Sequence, residues 1–137
     1  MFYQLHSRLI MQVQFIENDL RLIYAAISPG DFDEHVDFLD RANLGQILRE
    51  LKRVDEEDGV PDLEKEDYDR LHRLREGRNY WCHQCFLDFA YISDDCMREE
   101  QFNRIADRLA REEEEARGLH QRMEHLRNCK LKEYHRV

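Results

Sequence analysis

The sequence predicts an all-α protein, a four-helix up-down bundle with a long C-terminal helix, and three observations carry that prediction. Only 5 glycines and 2 prolines punctuate 137 residues, so there is room for few connections. Apolar side chains recur at steps of three and four in separate stretches, the pattern of helices that bury one face. Short polar segments carrying turn formers or helix caps divide those stretches. Read as one domain over residues 1–137, a chain of this length buries about two thirds of its unfolded surface without staples.

The first helix is expected from Phe2 to Ser28. Leu5, Leu9, Val13, Ile16, Leu20, Ile23 and Ile27 keep helical spacing, and Ile10, Phe15 and Leu22 widen the stripe. Ser28-Pro29-Gly30-Asp31 ends it, because proline cannot continue the hydrogen-bond ladder. Residues 31–42 are ambiguous, since Asp31 with Glu34 could cap a short helix carrying Val36, Phe38 and Leu39. Asn43 with Gln46 is a better-placed capping box, and it opens a second helix over about 44–57. An acidic turn, Asp55–Pro61, follows. Asp62 is the expected cap of a third helix over Leu63–Ile92, with Glu64, Glu66 and Asp67 where the macrodipole favours negative charge. Ser93-Asp94-Asp95 caps a fourth helix from about 96 to 130. On it Phe102, Ile105, Leu109, Glu112, Ala116, Leu119, Met123 and Leu126 form a heptad seam, weakest at Glu112 and Ala116. At roughly 50 Å this helix exceeds what so small a bundle needs. Its far half is expected either to meet a second subunit or to bend back, and the basic tail from Arg127 is expected to fray.

The formal charge of −9 argues against broad attraction to nucleic acid, so any RNA contact must be local. The longest apolar run, Leu22–Ile27, is far short of the roughly 20 residues of a membrane span, and no signal peptide is visible. A cytoplasmic protein with reduced cysteines and no membrane partner is expected. Cys82 and Cys85 make half of a zinc pattern without its second pair, so neither metal nor cofactor is expected, and both sulfurs are read as packing. His120 and His125 are read as surface residues.

The third helix breaks local rules in one place. Leu71, Leu74, Arg78, Cys82, Cys85, Phe89 and Ile92 fall on one inward stripe, which sets a guanidinium in line with the core. A buried charge is costly unless an anion meets it. Gly77 beside it costs about 1 kcal/mol against alanine, and Asn79 is another poor helix former. His83 follows Asn79 by one turn, whereas Arg78 and His83 are roughly 140° apart around the axis. Arg70, Arg73, Arg75 and Arg78 make this the natural place for a phosphate in an acidic chain. They also suit a mixed, solvated helix face.

Arg78, polar Asn79 and His83, with four residues between arginine and histidine, resemble the signature of HEPN domains. Asn43-Leu44-Gly45-Gln46-Ile47-Leu48 resembles the segment before that motif in several bacterial members. The resemblance implies a four-helix bundle that dimerises so that two motifs share one cleft, and a metal-independent endoribonuclease with a toxin or defence role. In such an enzyme a ribose 2′-hydroxyl attacks the adjacent phosphorus and leaves a cyclic phosphate. His83 would move the proton, Arg78 would stabilise the developing charge, and Asn79 would orient the ring or the phosphate. Arg75 would add charge for the RNA, and Tyr80 and Trp81 could stack bases. The implied partners are a second copy, an RNA substrate, and an antitoxin or regulatory protein. One departure concerns that last partner: toxins neutralised by a nucleotidyltransferase carry a tyrosine two residues past the histidine, where this chain has Cys85. Two other readings use the same residues. One is a non-catalytic helical interaction module, supported by the acidic charge and the heptad seam. The other is a nucleotide-binding sensor.

Overall fold

A computed structural model describes residues 1–57 and 59–136. The chain is helical, in the order α1 (Phe2–Ile27), α2 (Phe32–Phe38), α3 (Leu44–Glu56), α4 (Lys65–His83), α5 (Leu87–Ala90) and α6 (Asp95–Glu133). No strand occurs among the described residues.

The core forms where the predicted stripes meet. Leu9, Val13, Ile16, Leu20 and Ile23 of α1 pack with Leu44, Ile47 and Leu51 of α3, Leu71 and Trp81 of α4, and Ile105, Leu109, Leu119 and Met123 of α6. Burying each of the large aliphatic side chains stabilises the fold by about 1.5–3 kcal/mol. Local signals set several helix ends. The Asn43–Gln46 capping box is present in both directions, each hydrogen bond 2.9 Å, and Asp94 caps α6 by accepting from Met97 N at 2.9 Å. In the ambiguous segment a short helix does form, with the Asp31 carboxylate accepting from Asp33 N at 3.2 Å.

Helix direction departs from up-down alternation. Phe2 meets Phe102, Phe15 meets His120, Asp19 meets Arg127 and Ala26 meets Arg136, so α1 and α6 advance in step and are parallel. Asp67 meets Arg122 and Trp81 meets Glu112, so α4 runs against α6. Tyr68 bonds Asp55 while Arg75 lies over Gly45, so α3 also runs against α4. The physical cause is the segment from Pro29 to Asn43. Its carbonyls at Leu39 and Ala42 accept from Arg21 at 2.8 and 2.9 Å, which draws the chain back along α1 and lets α3 start in the same sense.

Three further expectations change. The predicted third helix ends at His83 instead of running to Ile92, because Gln84 N and Cys85 N both turn onto the Tyr80 carbonyl, at 2.9 and 3.0 Å. The chain then folds Phe86 and Phe89 toward Phe2, and the short α5 results. Asp62 does not cap α4. Glu64 does, in a box with Asp67, while the Asp62 carboxylate accepts from Lys130 and Tyr134, both at 3.0 Å. That contact, together with Arg136 donating to the Ser28 carbonyl at 2.8 Å, pins a tail expected to fray. The far half of α6 therefore lies along α1 and the start of α4 of its own chain.

Candidate functional site: an arginine-lined cleft on α4

Helix α4 is wedged against α6 by a match between two irregular residues. Gly77 leaves space that the Glu112 carboxylate fills, and a Cβ there would collide with Glu112 Oε1. That carboxylate accepts from Trp81 Nε1 at 3.0 Å and pairs with Arg108 one turn before it. The Arg108 guanidinium in turn lies over the Tyr80 ring, 4.0 Å from its centroid. The mid-helix glycine and the glutamate that interrupts the heptad seam are thus two halves of one contact.

This contact forms one wall of a cleft of about 460 Å³ between α1, α4 and α6. Leu9, Leu74, Ala116 and Leu119 are apolar parts of its lining, and its charged lining is mixed, Arg70, Arg73, Arg78 and Arg108 beside Glu66, Glu76, Glu112 and Glu115. Among the described residues, Arg70, Arg73 and Arg78 have no carboxylate within ion-pair distance. Arg70 and Arg78 are half-buried, whereas the carboxylates of Glu66, Glu76 and Glu115 sit at exposed positions.

The anion that Arg78 requires is in part supplied from within. Glu17 on α1 is buried, and burial pushes its carboxyl pKa up, while the nearby Arg78 and then Arg21 guanidiniums pull it down. Arg21 Nη2 lies 3.8 Å from Glu17. Sequence reasoning missed Glu17, because a glutamate in Glu17-Asn18-Asp19 reads as a solvated flank. Its only signal is a position one step off the α1 stripe.

The remaining predicted site residues are distributed unevenly. His83 ends α4, exposed, and it does not line the cleft. Asn79 is exposed one turn before it. Arg75 is exposed, with its guanidinium over the α3 backbone at Gly45, where a Cβ would lie 2.7 Å from Nε. Trp81 is 1% exposed, and its carbonyl accepts from His6 Nε2 at 2.8 Å, so its ring is a core element. Tyr80 is half-buried and donates to Asp88 at 2.8 Å. Burial first, and then that hydrogen bond, push the Tyr80 pKa up to about 12. Hydrogen bonds from Gln84 and Tyr80 hold the Asp88 carboxylate below its usual range. Cys85 is buried with its Sγ on the Trp81 carbonyl, but Cys82, expected on the same inward stripe, is exposed. No cluster suited to a metal ion occurs among the described residues.

Fold and site together define an all-helical chain with a cleft lined by arginines and glutamates, in which no helix of the described residues is long and apolar enough to cross a membrane. Comparison with family models, curated proteins and solved structures finds no match.

Proposed function

We propose that the protein is a HEPN-type RNA-binding protein that cleaves RNA without a metal ion, at a site completed by a second copy of the chain. The observation that carries this reading is on α4. Arg70, Arg73, Arg75 and Arg78 lie on this one helix of an acidic chain, and Asn79 and His83 stand exposed one turn apart without a side-chain hydrogen bond to another described residue. An imidazole in reach of solvent and substrate can take the 2′-hydroxyl proton or protonate the leaving oxygen. A guanidinium offers a planar fork of donors to phosphate oxygens. Arg78 opens toward the cleft and His83 does not line it. One chain therefore does not bring the pair onto one phosphate, and a twofold partner supplies the missing half. The antitoxin or regulatory partner that the resemblance implies belongs to the same proposal.

The placement of Arg78 favours a second reading, in which the cleft binds a nucleotide or mediates an interaction without cutting. The test is incubation of wild type, His83→Ala and Arg78→Ala with RNA in excess chelator. Cyclic-phosphate ends produced by wild type and lost in His83→Ala support cleavage. Equal blank lanes from a chain shown by sedimentation to be a dimer favour the second reading.

A further inference from the structure

We infer that the end of the molecule where α1 begins, α5 lies and α6 begins is a docking surface for a basic amphipathic segment of another protein. Tyr3, Phe86 and Leu87 form its apolar seat, and the carboxylates between Asp88 and Glu100 form its rim. The inference rests neither on the cleft nor on RNA cleavage.

The seat is an apolar surface held in place from beneath. Six of the ten large apolar side chains exposed among the described residues lie at this end: Met1, Tyr3, Phe86, Leu87, Tyr91 and Met97. Single exposed apolar residues are ordinary, whereas a concentration of them marks an interaction site. An aromatic side chain offers about 150–250 Å², so Tyr3 at 70% and Tyr91 at 81% exposure leave roughly 230–380 Å² open between them. Phe86 joins this surface to the core. Its ring stacks on Tyr3 with centroids 6.1 Å apart and planes 17° apart, and it meets the buried Phe2 edge-on at 6.1 Å. Phe2 in turn meets Phe89 and Phe102. Anchors already ordered by packing lose little freedom when a partner binds.

The rim fixes the chemistry of that partner. Residues 84–100 carry five carboxylates, Asp88, Asp94, Asp95, Glu99 and Glu100, against the single guanidinium of Arg98, and residues 1–7 add no Asp, Glu, Lys or Arg. Arg98 is tied to Asp95 at 2.5 Å and to the Ile92 carbonyl at 3.1 Å. Glu100 has the exposed Arg104 at 3.9 Å, and Glu99 is exposed without an ion pair among the described residues. Arg8, the next cation of α1, stands about 140° around the helix from Tyr3. An apolar seat within an acidic rim complements apolar side chains flanked by Lys or Arg. The same charge disfavours two other occupants. A second copy would set the rim against itself, because a twofold contact repeats one patch on both sides, and an anionic lipid surface would be repelled in the same way. The chain's own basic tail is held elsewhere, since Arg136 donates to the carbonyls of Ala26 and Ser28 at the far end of α1. With no strand edge among the described residues for a peptide to extend, the segment docks as a helix with its apolar face down.

The probe is a fluorescein-labelled synthetic helix of about 18 residues with leucine on one face and lysine on the other, followed by anisotropy as the full chain is added. Its leucine–glutamate counterpart and phosphatidylserine vesicles are the comparisons. Tyr3→Ser/Leu87→Ser removes the seat and Glu99→Gln/Glu100→Gln part of the rim. Phe38→Ser and Glu34→Gln/Glu114→Gln remove an equally exposed aromatic ring and two exposed carboxylates away from this end. The expected result is saturable binding of the lysine helix by wild type, a loss of about tenfold or more in Tyr3→Ser/Leu87→Ser, and a smaller, salt-sensitive loss in Glu99→Gln/Glu100→Gln. The two control variants and the wild type should bind alike, and the glutamate helix should not bind. Far-UV circular dichroism checks that each variant is folded; should the seat variant fail to fold, the rim variant against its charge control decides. Equal losses in the rim variant and its charge control mean attraction by net charge alone and overturn the inference. So does binding that the seat variant keeps, or no binding of the lysine helix at all. Vesicle binding lost in the seat variant assigns the surface to lipid, and a dimer by sedimentation that becomes monomeric in the seat variant assigns it to a second copy; either outcome overturns the proposal. RNA cleavage, present or absent, leaves it unchanged.

Discussion

Substituting Gly77 with alanine tests whether α4 and α6 are held by the contact described above. In an ordinary helix interior the change stabilises by about 1 kcal/mol, because alanine loses less backbone freedom on folding. Here the new Cβ collides with Glu112 Oε1, the atom that accepts from the buried indole of Trp81. Glu112 must then turn away. A hydrogen bond to a charged group is worth about 1.5–3 kcal/mol, so the net result is a destabilisation of about 0.5–2 kcal/mol. For a domain of this size that lowers the melting temperature by about 2–8 °C. Urea unfolding followed by circular dichroism gives the global value. The fluorescence of Trp81, the single tryptophan, reports on the contact itself. In a Glu112→Ala background the obstruction is gone, and Gly77→Ala should recover its usual gain of about 1 kcal/mol. A rise in urea midpoint of the same size in both backgrounds would refute the reasoning.

Other contacts make predictions of the same kind. Tyr68 donates to Asp55 at 2.6 Å, and burial followed by that bond raises its pKa well above the usual tyrosine value. The folded chain thus holds the proton more tightly than the unfolded one, so the stability it adds is complete below pH about 10 and is lost as pH rises toward the folded value. Tyr68→Phe should cost about 1–3 kcal/mol at neutral pH and flatten that alkaline loss, as read from melting temperature against pH. Arg127 bonds the 2% exposed Asp19 side chain at 2.7 Å, so Arg127→Ala leaves a buried carboxylate with His120 at 3.6 Å alone and should cost about 3 kcal/mol in urea unfolding; a cost below about 1 contradicts the pairing. Arg78→Ala should lower the melting temperature through Glu17, whose charged form the guanidinium favours, and adding Glu17→Gln should restore it.

What the sequence made legible was local or periodic. The Asn43–Gln46 box, the α1 stripe and the seam of α6 need only neighbours within a few turns, and each is present as read except that Phe15, expected to widen the α1 stripe, is exposed. Gly77 and Glu112 were visible as departures from pattern, but 35 positions separate them and nothing in the spacing says that one fills the other. The end of α4 at His83 was not legible, because no glycine or proline marks it. The aromatic cluster of Phe2, Phe86, Phe89 and Phe102 overrides a helical pattern that by itself continues. The parallel pairing of α1 and α6 was hidden for a similar reason, since it depends on Arg21 reaching two carbonyls of the segment that sequence left ambiguous. For the candidate site, the type and neighbourhood of Arg78 were readable and its partner was not.

Arg78 therefore carries two roles that one substitution cannot separate. It lines the cleft, yet it also acts on a buried glutamate in its own core. Loss of RNA cleavage in Arg78→Ala could follow from either, since a weakened α1–α4 packing would disturb any dimer built on α4. His83 is free of that ambiguity. It is exposed at the end of α4, and surface substitutions of that kind change stability by about 0.5 kcal/mol or less. The weight of the nuclease reading therefore rests on His83→Ala, and that of Arg78 on the pair of Arg78→Ala with Glu17→Gln. If that pair regains stability and still fails to cleave, the guanidinium acts on the RNA. If it regains both, Arg78 serves the fold.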